Sequence, residues 1–154
     1  MSREFKNQEL KDLLKPCIIT TYDIQSKNSF FFSSREPKAK ERGFYVKDVL
    51  RSTSTAPTYF PPAFIKNLVT EKQMINIDGG VFANNPAMCA YSESRATVFD
   101  DIAFPSAKDM LILSIGTGGD QFDLPNVEKS STWGILPWAT SIPNIMMDGS
   151  IDTV

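Results

Sequence analysis

The segment that most restricts the fold is Gln73-Met74-Ile75-Asn76-Ile77-Asp78-Gly79-Gly80. Its apolar, β-branched part predicts a short strand, and the glycine pair predicts a tight turn at its end. Asn85-Pro86 follows, with the chemistry of an N-cap and of a proline at the first helical position. A helix is therefore expected to run to about Phe99. Its inner stripe would be Ala87, Ala90, Tyr91, Ser94 and Val98, mostly small residues that pack closely on a sheet. Met110 to Ile115 is then a continuous apolar run ending in Gly116-Thr117-Gly118-Gly119, the pattern of a buried parallel strand. Strand, helix and strand in this order predict the α/β class.

The N-terminal part adds to this frame. Residues 4–15 predict a short helix with Leu10, Leu13 and Leu14 on one side, stopped by Pro16. Cys17 to Tyr22 is β-branched and aromatic and predicts a strand. A turn over Asp23 to Asn28 and a returning strand over Ser29 to Ser33 make a hairpin. Phe30, Phe31 and Phe32 would alternate between its faces. Val46 to Thr53 predicts a helix. Ala56-Pro57-Thr58-Tyr59-Phe60-Pro61-Pro62 cannot continue it, because its prolines remove donors and push preceding residues to extended angles. Trp133, Leu136 and Trp138 mark an apolar cluster, and residues 142–154 carry helical character.

Composition excludes several classes. With 42% apolar residues and a net charge of −2, the chain is not a disordered segment. That charge gives no global signal for nucleic-acid binding, and none is expected. No apolar run approaches the roughly 20 residues of a membrane span. The first residues are polar and lack the apolar core of a signal peptide. Cys17 and Cys89 lack zinc spacing, and a reduced, cytoplasmic setting is the expectation. No cofactor motif is present. There is no histidine, so the chain cannot hold a complete Ser-His-Asp triad.

Asp78 is the main chemical candidate. A carboxylate at the carboxyl end of a strand sits where open α/β sheets place ligands. Gly79 and Gly80 let another segment approach closely and fix it. A plain Asp-Gly turn is the alternative reading of the same residues.

The flanking segments carry a family resemblance. Arg51-Ser52-Thr53-Ser54-Thr55-Ala56-Pro57-Thr58-Tyr59-Phe60-Pro61-Pro62 lies upstream, and Val81-Phe82-Ala83-Asn84-Asn85-Pro86 lies downstream. With Lys11 to Pro16 and Leu111 to Gly118, these resemble the patatin-like phospholipases, the lipid acyl hydrolases, in the right order over roughly residues 10–120. Ser52 and Thr55 stand where alanines are more usual. The resemblance implies a partial three-layer α/β/α fold, truncated on its N-terminal side. Residues 1–120 would be the C-terminal portion of that domain and residues 121–154 a partly helical extension.

The resemblance also implies a mechanism. A serine at a Gly-x-Ser-x-Gly elbow attacks an ester carbonyl, and an aspartate rather than a histidine is its partner. Here that aspartate is Asp78, in the motif Asp78-Gly79-Gly80. The nucleophile is not in this chain: no two of its eight glycines lie four positions apart. By resemblance, the elbow and a glycine-rich oxyanion segment would lie upstream of Met1. The chain alone is expected to be inactive. The alternative is a non-catalytic remnant of the fold that binds lipid or protein.

Other hydroxyls and thiols are weaker candidates. Ser52 and Ser54 are not on an elbow, Ser114 falls in the expected buried strand, and Cys17 and Cys89 have no base partner. Thr117 lies in a turn that does not by itself activate a hydroxyl. Gly116 to Gly119 could also be an anion-cradling turn, although no Walker lysine follows and Asp120 adds negative charge.

Partner readings rest on charge and aromatics. Residues 1–51 hold 11 Lys and Arg against 7 Asp and Glu, while residues 52–154 hold 5 against 11. Part of the basic excess is in Arg35 to Arg42, either a solvated loop or a peripheral contact with anionic lipid heads. Tyr59, Phe60, Pro61, Pro62 and Phe64 are either a packed loop or part of an acyl-pocket wall. The expected partner is a lipid or acyl-ester substrate. Self-association through an exposed sheet edge is expected as well.

Overall fold

The computed structural model describes residues 2–35, 43–98, 102–116, 124 and 127–151. They divide into two compact units, Met1–Phe82 and Ala83–Val154. The domain boundary expected at 120/121 and the loop over 36–42 lie outside the described residues.

The first unit is a four-stranded sheet with one helix packed on it. Its strands are β1 (Ile18–Asp23), β2 (Asn28–Ser33), β3 (Ala63–Lys66) and β4 (Gln73–Asp78), in the order β2-β1-β4-β3. Every pairing is antiparallel. The expected hairpin is β1 and β2, with Ile19 opposite Phe32 and Thr21 opposite Phe30. Asp23 builds its turn: Oδ1 accepts the Gln25 N–H at 3.0 Å and Oδ2 accepts the Ser26 hydroxyl at 2.7 Å. Oδ1 also accepts the Ile75 N–H at 3.3 Å, so one buried carboxylate ties the hairpin to β4.

The core lies between this sheet and helix α2 (Val46–Thr53), whose bounds match the sequence expectation. Val46, Val49 and Ser52 are its buried stripe at helical spacing. In β3 the period is two, with Ala63 and Ile65 buried and Phe64 and Lys66 exposed. Leu10, Phe32, Phe44, Val49, Ala63, Ile65 and Met74 form one cluster. Phe32 is edge-on to Phe44 at 4.9 Å and to Phe30 at 5.1 Å, the arrangement ring quadrupoles favour. Phe31 points to the other face and meets Phe82 at 5.8 Å. The alternation expected of the three phenylalanines holds.

The N-terminal helix expected over 4–15 is instead a single turn, α1 (Ser2–Phe5), and a 3-10 turn over Leu10–Asp12. Two backbone hydrogen bonds explain the break. Leu10 N–H donates to Phe44 O and Val46 N–H donates to Gln8 O, which holds residues 8–10 extended beside Phe44 to Val46. Tertiary pairing here overrides helix propensity.

After β4 comes the single turn α3 (Gly80–Ala83). The second unit then holds α4 (Ala87–Ala96) and α5 (Ile135–Ile151). Asn85 Oδ1 accepts the Ala87 N–H at 3.1 Å, and Pro86 occupies the cap position itself. None of the stripe expected to be inner on α4 is buried. Trp133 and Trp138 meet edge-on at 5.2 Å at the start of α5. Among the described residues, no helix is long and apolar enough to cross a membrane.

The strand expected over Met110 to Ile115 is not formed. Leu111 is 99% and Ile115 83% exposed, and Ser114 is exposed with them. Within the first unit's sheet, β4 is hydrogen-bonded by β1 on one side and β3 on the other, so β4 itself has no free edge. An apolar run does not itself specify a strand partner. The α/β class stands, with an antiparallel sheet in place of the expected parallel pairing.

Phe32 is 1% exposed at the centre of the core, so Phe32→Ala removes packed volume that cannot collapse easily. We expect a loss of about 3–5 kcal/mol, read as a lower urea midpoint. Phe31→Ala, on the half-buried face, should cost clearly less.

Candidate functional site

Asp78 ends β4, opposite Thr21 of β1. Its position is set from three sides. From β1, Thr21 Oγ1 donates to Ile77 O at 2.7 Å. From the end of α2, Thr55 O accepts the Asp78 N–H at 3.0 Å. From the turn, Gly80 N–H donates to Asp78 Oδ1 at 2.7 Å. Gly79 lies directly on Thr20, where a Cβ would overlap both the threonine hydroxyl and its backbone carbonyl. The second residue of the motif is therefore glycine for want of space.

The Asp78 side chain is half-buried. Burial pushes its carboxyl above the ordinary aspartate range, and the Gly80 N–H partly opposes that rise. Among the described residues, Oδ1 takes the Gly80 hydrogen bond and no side chain bonds to the carboxylate. One oxygen is thus oriented and the other is left for a proton or an incoming group.

Beneath it lies a buried polar cluster that the sequence reading did not single out. Asn76, two residues before Asp78 on β4, donates from Nδ2 to Ser52 Oγ at 3.2 Å. Ser52 Oγ donates to Asp48 O at 2.8 Å, one turn back in α2. Among the described residues, Asn76 Oδ1 is buried without a hydrogen-bond partner. A readable signal existed: Asn76 is a polar residue at an inward position of β4, between Ile75 and Ile77.

The end of α2 and the segment linking it to β3 border an open cavity of about 320 Å³, lined by Arg51, Ser54, Thr55, Phe60 and Pro61. Thr55 is common to the cavity and to the anchoring of Asp78. Tyr59, Phe60 and Phe64 are mostly exposed, so they do not form a packed loop. Thr58 turns this segment with φ 74°, a conformation that is costly for a β-branched residue.

Among the described residues of the first unit, neither Ser52 nor Ser54 bonds to Asp78. Ser52 is fully buried with its proton on Asp48 O, and Ser54 donates to Leu50 O at 2.8 Å. Cys17 and Cys89 are free thiols and part-buried. Thr117 and Gly118 to Asp120 lie outside the described residues.

Two outcomes follow from this geometry. Gly79→Ala forces a Cβ into Thr20 and should destabilise by about 1–3 kcal/mol, measured as a lower urea midpoint. Asp78→Asn should raise stability at neutral pH, because it removes a charge that burial disfavours while keeping an acceptor for Gly80. The native carboxyl is raised above its unfolded value, so its contribution is complete below the unfolded pKa and is lost as pH rises through the native one. The gap between wild type and Asp78→Asn should therefore close as pH falls through about 4. A gap unchanged between neutral and acid pH would contradict this.

Comparison with known proteins agrees with the motifs. The family model for patatin-like phospholipase matches residues 1–91. Patatin-like protein 6 of Arabidopsis thaliana is 31% identical over 159 residues, covering 100% of this chain and 31% of that protein. Patatin-like protein 2 of the same plant is 35% identical over 143 residues, covering 86% of this chain and 35% of the relative. A Solanum tuberosum relative named "Probable inactive patatin-3-Kuras 1" is 31% identical over 135 residues, with 80% and 36% covered. The chain spans about a third of the length of the curated relatives it matches. From the ordered motifs, the Asp78 turn and these matches together, the chain belongs to the patatin-like phospholipase family.

Proposed function

We propose that this chain is the aspartate-bearing part of a lipid acyl hydrolase, with Asp78 as the proton acceptor of a Ser-Asp dyad. The observation that carries the reading is the state of Asp78: half-buried, raised in pKa, oriented by Gly80 and, among the described residues, without a side-chain partner. The serine comes from a Gly-x-Ser-x-Gly segment that this sequence does not contain.

The chemistry follows from those groups. Asp78 accepts the serine hydroxyl proton as Oγ bonds to the ester carbonyl carbon. The tetrahedral intermediate collapses with loss of the alcohol, which takes the proton from Asp78. Water then repeats the sequence on the acyl-serine and releases the fatty acid. An ordinary carboxylate is a poor base for a hydroxyl, and a raised pKa narrows that mismatch. Developing oxyanion charge must be met by donors that also lie outside this sequence. The free thiols of Cys17 and Cys89 support a reducing, cytoplasmic setting.

The test uses a protein that joins this chain to an upstream elbow segment. There, Asp78→Asn should lower ester turnover by about 10²–10⁴-fold without any loss of stability. The 154-residue chain by itself should give no turnover. Full activity of Asp78→Asn would remove Asp78 from the mechanism. The name of the potato relative favours one second reading, a non-catalytic member that keeps the fold and binds lipid or protein. Under it, the joined protein binds acyl lipid but turns none over.

A further inference from the structure

We propose that the cavity lined by Arg51, Ser54, Thr55, Phe60 and Pro61 binds the oxyanion head of a single-chain acyl amphiphile, with Arg51 as the residue that selects the negative charge. Its volume, about 320 Å³, is at the lower end of the roughly 300–1,000 Å³ typical of small-molecule sites. It suits a head and the first part of one chain, not a whole two-chain lipid.

The inventory of donors decides the sign of the head. Ser54 Oγ donates its proton to Leu50 O, and Thr55 Oγ1 donates its proton to Arg51 O. Both hydroxyls are left as acceptors. Phe60 and Pro61 offer no side-chain donor. The Arg51 guanidinium makes no hydrogen bond or ion pair among the described residues, so its N–H groups are the free side-chain donors of the lining. A planar guanidinium matches a carboxylate or phosphate with two parallel bonds, whereas a neutral head uses little of it. Among the described residues, the lining therefore pairs the Arg51 cation with an aromatic and proline wall, and exposed Tyr59 and Phe64 lie close in sequence to that wall.

Two charges oppose an anion there. The C-terminal end of α2 carries about half a negative charge, against the full positive charge of Arg51. The hydroxyls of Ser54 and Thr55 cover two of the carbonyls responsible. Asp48, one turn back, feels Arg51 electrostatically, but burial raises its pKa and Lys47 acts on it as well. The balance at the cavity favours a bound oxyanion.

The site adjoins the reaction centre through Thr55, whose carbonyl holds the Asp78 N–H. That the bound head belongs to a substrate or product rests on the hydrolase reading. The binding itself does not. A phospholipid would present phosphate, and a released fatty acid would present carboxylate.

The experiment titrates octyl phosphate, octanoate and neutral octyl glycerol, each as monomer, into the full isotope-labelled chain. Amide shifts should centre on Arg51, Ser54, Thr55 and Phe60. At least one anionic ligand should bind roughly five- to tenfold tighter than octyl glycerol. Arg51→Gln should abolish that preference, Arg51→Lys should keep part of it, and Phe60→Ala should weaken all three ligands alike. The tighter of the two anions identifies the head. Equal binding of charged and neutral ligands, an unchanged preference in Arg51→Gln, or shifts centred elsewhere would overturn the proposal. Because the readout is binding, lost anion selectivity beside intact turnover in the joined protein would sink this inference alone. Retained selectivity beside an active Asp78→Asn protein would sink the hydrolase reading alone.

Discussion

The contact on which the site depends is the close approach of Gly79 to Thr20. It lets β4 leave the sheet beside β1 with no side chain between them, and Asp78 is the last residue before that departure. The rest of the local geometry is arranged around this point. Thr21, fully buried, holds the Ile77 carbonyl, and Thr55 holds the Asp78 N–H. These are backbone bonds and a buried hydroxyl bond, so the direction of the carboxyl does not rely on flexible surface side chains. A larger residue at position 79 would separate the strands where the aspartate has to be fixed.

The same packing sets the electrostatics. A carboxylate with half its surface removed from water is less easily ionised, and here a single N–H offsets only part of that loss. Such an arrangement costs stability at neutral pH and provides a better base, the usual trade at sites that do acid–base chemistry. The polar cluster of Ser52 and Asn76 beneath it follows a different logic. It is buried and almost fully bonded, and it fixes α2 against β4 rather than offering a reacting group. The serines in the matched upstream stretch are thus structural, and their hydroxyls close the end of α2.

Much of this was legible in the sequence, for physical reasons. The strand over 73–78, its glycine turn and the helix over 46–53 were readable because local propensity and tertiary packing agree there. The hairpin was readable because β-branched and aromatic runs flank an Asp- and Asn-bearing turn. Strand β3 was not anticipated. It has four residues, follows two prolines, and turns Phe64 outward while small Ala63 goes in, so its pattern inverts the usual signal. The run over 110–115 misled because apolarity marks a candidate for burial without naming a partner. The motif made Asp78 legible. Arg51 was not, since its meaning depends on hydroxyls four and three residues away spending their protons on the helix.

The most direct test of the central claim is the titration of the Asp78 side-chain carboxyl carbon by NMR in the folded chain. The account predicts a midpoint clearly above the ordinary aspartate value of about 3.9, and a return towards that value when the chain is unfolded in urea. A folded-state midpoint at or below the ordinary value would mean that the Gly80 hydrogen bond outweighs burial. Asp78 would then be a structural turn residue and not a poised base.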